Sequence, residues 1–119
     1  MIIVAIDEIH FNKASDILDN LDPKKCMVKI GSISFNSIGS EFIYYAADKG
    51  FEIFLDLKLH DIPNTVKKTI QGLLLLPIKI LTIHASGGKH MMIAAMEAAS
   101  ETDIKVFGVT ALTSLNDED

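Results

Sequence analysis

Asp56, Lys58 and Asp61 lie within FLDLKLHDIPNT, Phe54 to Thr65, a run otherwise as apolar as a core strand. Ionisable groups are costly to bury beside Leu and Ile unless they satisfy one another. On a strand, positions i and i+2 share a face, so Asp56 and Lys58 project side by side. Asp61 follows past the strand end, and Lys29 arrives from a neighbouring strand. An alternating array of two ammonium and two carboxylate groups is therefore available, neutral overall. Unit charges about 4 Å apart interact by roughly 4 kcal/mol at an effective dielectric near 20, enough for the full set to persist where one member would not. Titrations within such an array are coupled.

The chemistry that suits this set is replacement of a carboxylate by a proton. A lysine held charged between carboxylates is a poised proton donor, and an ionised carboxylate in a small site repels a substrate anion placed against it. The bland reading is a surface cross-pair, which is what a lone Asp-x-Lys usually is. IFLDLKL is too apolar for a solvated face, which puts function ahead of it.

These residues need a scaffold, and the chain supplies a repeating one. Short apolar runs alternate with helix-like stretches, as in βα units around a parallel sheet. Strands are expected at Ile2 to Ile6, Met27 to Ile30, Phe51 to Leu57, Ile78 to His84 and Ile104 to Thr110. Asn12 is placed to cap a first helix with Ala14, Ile17, Leu18 and Leu21 on one face. A second carries Phe42, Ile43, Ala46 and Ala47 and stops at Lys49 and Gly50; a third starts near Pro63, and a fourth near Lys89. Successive strand ends are spaced by 24, 27, 27 and 26 residues.

Eight such units make a (β/α)₈ barrel of roughly 200 to 250 residues, so this chain corresponds to about half of one. From periodicity alone a flavodoxin-like open sheet ranks first. The polar residues shift the balance. Asp7, Lys29, Asp56, Lys58, His84 and Thr110 fall at or near the C-terminal ends of successive strands, the edge where barrels build their sites.

Composition narrows the function further. The 119 residues are 49% hydrophobic and 23% charged, with formal charge -5, scattered lysines and no arginine. No basic face for nucleic acid is expected. Cys26 has no partner for a disulfide and no metal-ligand spacing, which suits core filling in a reducing, cytoplasmic setting. MIIVAIDE does not read as a secretory signal, and LLLLPIKIL is too short for a membrane span. SGGK, Ser86 to Lys89, lacks phosphate-loop spacing and reads as a tight turn. His84 could polarise a substrate, though a hydrogen-bonded supporting role is favoured; His60 is expected to face away from Lys58. Met91, Met92 and Met96 read as core filler.

IFLDLKLHDIPNT closely resembles the signature of the orotidine 5′-phosphate decarboxylases. VAID (Val4 to Asp7), VKIG (Val28 to Gly31), TIHASGG (Thr82 to Gly88) and VTALTS (Val109 to Ser114) are similar to that family's other N-terminal blocks, in the same order. The resemblance implies the first half of a (β/α)₈ barrel and cofactor-free, metal-free conversion of orotidine 5′-phosphate to UMP, the last step of pyrimidine nucleotide synthesis. It implies Lys58 as the proton donor to C6, Asp56 against the substrate carboxylate, and Lys29 and Asp7 on ribose hydroxyls and tied into the charge array. Asp61, Ile62 and Thr65 would reach into the other subunit of a homodimer, and Thr113 would contact the pyrimidine, with Ser114 close enough to confuse the alignment.

The family's phosphate-gripping loop and late Gly-Arg segment have no counterpart before Asp119, so this polypeptide by itself is expected to be inactive or nearly so. Rate enhancement on this scale draws on binding energy from the remote phosphate. Two rival readings remain: a magnesium-dependent sugar-phosphate decarboxylase or synthase of the same suprafamily, and a non-catalytic half-barrel.

Overall fold

The structure, a computed structural model, describes residues 1–110; Thr113 and Ser114 lie outside the described residues. Five strands, β1 (Ile2–Ile6), β2 (Cys26–Gly31), β3 (Ile53–Leu59), β4 (Ile80–His84) and β5 (Lys105–Val109), form one parallel sheet in the order β1-β2-β3-β4-β5. Between them run α1 (Phe11–Asp19), α2 (Ser32–Ile38), α3 (Ser40–Asp48), α4 (Pro63–Leu73) and α5 (Lys89–Ala99), with a single 3₁₀ turn at Ala85–Gly87.

Sequential order decides between the two architectures the sequence left open. Parallel crossovers are right-handed, so strands added always on the same side carry all their helices on one face. An open doubly wound sheet reverses direction once and covers both faces; this sheet never reverses. It is an arc of a barrel, with β1 and β5 as its edges.

Strand alternation divides the two faces cleanly. Val28, Ile30, Ile53, Leu55, Leu81 and Ile83 are buried, and they pack in one cluster with Ala14 and Leu18 of α1, Phe42, Ile43 and Ala46 of α3, Val66 and Ile70 of α4, and Met91 and Ala95 of α5. The opposite face carries Ile3, Lys29, Phe54, Asp56, Thr82 and Phe107, with Ile3 and Phe107 about half exposed. Cys26 is buried in β2, as its core-filling reading requires. Among the described residues, no helix is long and apolar enough to cross a membrane.

Several local expectations are corrected. Asn12 does not cap α1: the helix begins at Phe11 behind His10, and the Asn12 carbonyl accepts from Ser15 Oγ inside the first turn. β3 runs two residues later than its apolar run suggested, because β4 continues to pair with it through Leu59 after pairing with β2 stops at Asp56. α2 was not anticipated; SISFNSI has little helical patterning and is broken from α3 by Gly39 at φ +89°. Met91 is buried and Met92 half-buried, but Met96 is exposed, standing with Ile93 along a cavity of about 600 Å³ beside Lys89, Met92, Glu97 and Ser100. That side of α5 has no covering element among the described residues, which is why helical spacing alone overestimated its burial.

Where the sequence named a stop, the backbone supplies it. α3 ends at Asp48 with Lys49 as its C-cap, and Gly50 follows at φ +96°, a conformation open to glycine and strained for other residues. The SGGK segment is a turn entering α5, with Gly88 at φ +94°.

Candidate active site

β2 and β3 pair with Gly31 opposite Asp56 and Lys29 opposite Phe54, which brings the Lys29 and Asp56 side chains out on the same face one pleat apart. Lys29 Nζ lies 3.5 Å from Asp56 Oδ2, and Lys58 Nζ lies 2.8 Å from the same oxygen. The other oxygen, Asp56 Oδ1, accepts a 2.7 Å hydrogen bond from the Thr82 hydroxyl of β4. Asp56 is 9% exposed, while Lys29 and Lys58 are 34% and 37% exposed. The carboxylate is thus the buried floor of the cluster, and the ammonium groups are its reachable wall.

Burial pushes the Asp56 carboxyl up, but the hydrogen bonds from Lys58 and Thr82, together with the charges of Lys58 and Lys29, outweigh that and hold it below the ordinary carboxylate value. It therefore stays ionised at neutral pH, because its partners are arranged for the charged form.

The chain reaches this geometry through an irregularity. Leu55 pairs with Leu81 and Leu59 with Ile83, so β3 advances four residues where β4 advances two. Lys58 sits inside this bulge at φ +49°, the left-handed region, and among the described residues no other non-glycine has positive φ. Side-by-side projection of Asp56 and Lys58 was expected from a regular pleat. They do meet, but across a bulge rather than along a plain strand.

Asp61 does not join the array within this chain. β3 ends at Leu59, and Asp61 lies in the exposed turn that follows, where its Oδ1 accepts from the Ile62 N–H. The cluster formed within one chain is two lysines on one carboxylate rather than the expected neutral set of four. Ile62 and Thr65 are exposed beside Asp61, with Ile62 at 65%. Asp7 stands just beyond β1, exposed and without an ion pair among the described residues. Its Oδ1 borders the space beside Gly31, where a side chain would come within 3.7 Å.

His84 ends β4 with Nδ1 2.6 Å from Ser86 Oγ, and its ring stacks on His60 at 5.3 Å between centroids. These contacts fit a hydrogen-bonded supporting role. Thr82 was missed in the sequence, where a β-branched residue in a strand carries no mark of polar function.

An arc of parallel strands with all helices outside and a charged cluster on the inner face near the C-terminal strand ends is half of a (β/α)₈ barrel, with the cluster at the edge where such barrels build their sites. The chain belongs to the orotidine 5′-phosphate decarboxylase / HUMPS family, whose model matches residues 1–119. It is 42% identical over 120 residues to orotidine 5′-phosphate decarboxylase of Saccharophagus degradans, covering 99% of this chain and 50% of that protein. With the Ehrlichia chaffeensis decarboxylase identity is 47% over 118 residues, covering 99% and 51%. Among solved structures, orotidine 5′-phosphate decarboxylase from Lactobacillus acidophilus superposes with TM-score 0.87 at 38% identity, over 98% of this chain and 55% of that one. An uncharacterized conserved protein from Geobacillus kaustophilus gives TM-score 0.88 at 32% identity, over 99% and 58%. The chain spans about half the length of the curated relatives it matches.

Proposed function

We propose that this chain is the N-terminal half-barrel, residues 1–119, of an orotidine 5′-phosphate decarboxylase, and that its Lys29–Asp56–Lys58 cluster forms orotidine 5′-phosphate into UMP in pyrimidine nucleotide synthesis. The observation that carries the reading is the single buried carboxylate oxygen of Asp56 with Lys58 Nζ at 2.8 Å and Lys29 Nζ at 3.5 Å.

In this reading the substrate carboxylate is placed against ionised Asp56, where like-charge repulsion raises its energy before reaction. The C6–carboxylate bond breaks, carbon dioxide leaves, and the electron pair remains on C6. Lys58 then gives its ammonium proton to C6 and recovers one from water. The developing carbanion faces two ammonium groups, and fixed charge aimed at developing charge is the largest catalytic contribution available to a site without a cofactor. No metal or organic cofactor takes part.

Lys29 and Asp7 would hold ribose hydroxyls, and Thr113 the pyrimidine. The exposed group Asp61, Ile62 and Thr65 would serve the site of a second copy, making the working form a homodimer that places the missing acid beside the two lysines. The setting would be cytoplasmic, with neither nucleic acid nor membrane as partner. Phosphate recognition is assigned to a C-terminal half-barrel, and remote phosphate binding is where much of the catalytic energy should originate.

The test is UMP formation from orotidine 5′-phosphate by the full chain, alone and mixed with a separately expressed C-terminal half of a relative. Activity should appear only in the mixture, resist EDTA, and fall by at least about a thousandfold in Lys58→Ala, consistent with loss of a transition-state charge contact and its proton. Activity in the mixture that survives Lys58→Ala would overturn the assignment, and activity lost to EDTA and restored by magnesium would redirect it to the sugar-phosphate chemistry.

A further inference from the structure

We propose that Thr82 is a positioning residue of this site, its hydroxyl bridging the Lys58 backbone and the Asp56 carboxylate so that one side chain fixes both the proton donor's strand and the orientation of the buried acid. Three observations converge on it. Thr82 is 2% exposed, it accepts from the Lys58 N–H at 2.9 Å, and it donates to Asp56 Oδ1 at 2.7 Å.

The direction of each bond is forced. The two extra residues in β3 take the half-buried Lys58 N–H out of the regular β4 ladder, and the buried Thr82 hydroxyl supplies the acceptor it then lacks. An N–H only donates, so it occupies a hydroxyl lone pair, leaving the single hydroxyl proton for the carboxylate. Asp56 Oδ1 is then taken by Thr82 and Oδ2 by Lys58 and Lys29. The carboxylate cannot rotate without losing partners on both oxygens. The bonds close into a ring: Lys58 backbone to Thr82, Thr82 to Asp56, and Asp56 back to the Lys58 ammonium. Lys58 is gripped at both its ends, and its φ of +49° is the conformation that this ring over-determines.

A strand threonine chosen only for shape would be replaceable by valine and less well by serine. A threonine chosen for its hydroxyl reverses that order. The contrast separates positioning from packing.

The experiment follows the Asp56 ¹³Cγ resonance against pH and the exchange rate of the Lys58 amide in the full chain, comparing wild type, Thr82→Val and Thr82→Ser. Thr82→Val should raise the Asp56 midpoint, since it deletes a donor to the ionised form, and should reduce Lys58 amide protection at least about tenfold. Thr82→Ser should keep both close to wild type. Wild-type behaviour of the valine variant, or valine-like behaviour of the serine variant, overturns the proposal. If the valine variant fails to fold, the serine variant and wild type still decide: an unprotected Lys58 amide in either refutes the bridge. The consequence for turnover rests on the decarboxylase reading. In the two-half assay, Thr82→Val should lower kcat about tenfold with KM unchanged. No UMP from wild type would sink that reading alone, because the resonance and exchange results stand without it.

Discussion

Two aspartates in this chain are clasped in nearly the same way, and only one makes a candidate site. Asp19, at the end of α1, has Lys49 Nζ at 2.7 Å and the Tyr45 hydroxyl at 2.9 Å. Asp56 has Lys58 Nζ at 2.8 Å and the Thr82 hydroxyl at 2.7 Å. The first lysine is 37% exposed in both, so the ammonium groups do not distinguish them. The carboxylates do, at 46% against 9% exposed. Asp56 also has a second ammonium, Lys29, where Asp19 has none among the described residues. Partner identity and distance are thus poor guides to function. A buried acid on the inner face of a barrel arc, with more positive charge around it within this chain than it can neutralise, is what sets the candidate site apart and what the proposed reaction would use to receive a substrate anion.

The largest difference between the two should come from deleting the acids. Asp56→Ala leaves the Thr82 hydroxyl and the bulged strand without their common partner and places two ammonium groups together; a loss of about 2 kcal/mol in urea unfolding is expected. The pH dependence has a definite sign. The Asp56 pKa is depressed in the folded chain, so its contribution is complete above the unfolded value of about 4 and disappears as pH falls through the lower folded value. Stability followed from pH 6 downward should therefore show an acid limb that flattens in Asp56→Ala. A limb of equal steepness in that variant would mean that the buried trio is not what acid destroys.

Much of the scaffold was legible because burial on one face writes a pattern. Ile2 to Ile6 was placed to the residue, and the starts of α4 at Pro63 and α5 at Lys89 follow from proline and from the Gly88 turn. Lys29, Asp56 and Lys58 were legible as charges in apolar strands. What escaped were features with no periodic signature: the short α2, the bulge, and the hydroxyl of Thr82. Sequential strand order was equally invisible locally, since flavodoxin-like and barrel folds share the same βα rhythm. Asp61 was legible as lying past the strand end, but spacing along one chain cannot say whether a residue there turns back to the cluster, and within this chain it does not.

The bulge supplies a sharper test of how the two lysines differ. Lys58 is at φ +49°, whereas Lys49 has ordinary right-handed backbone, φ −79°. A non-glycine in the left-handed region costs roughly 1 to 2 kcal/mol, which the closed ring around Thr82 must offset. Lys58→Gly should accordingly be more stable than Lys58→Ala by about 1 kcal/mol, although both lose the ammonium. At Lys49 the order should reverse or vanish. Equal stability of the two Lys58 variants in thermal unfolding would show that the left-handed residue stores no strain.

The smallest effect belongs to Asp19, and its smallness is informative. The Lys49 hydrogen bond, then that of Tyr45, lowers the Asp19 pKa, and Lys49 also lies 5.1 Å from the Tyr45 ring centroid. All three groups remain in contact with water, where an ion pair is screened and each partner has solvent as a substitute. Asp19→Asn should leave the thermal midpoint within measurement error, and raising salt from 0.05 to about 0.5 M should erase any residue of a difference. Asp56→Asn should keep its full deficit at the same salt, because mobile ions do not reach a carboxylate enclosed by β2, β3 and β4. A salt-sensitive deficit at Asp56 would make the two clusters alike in kind, and the inner one no better founded as a site than the outer.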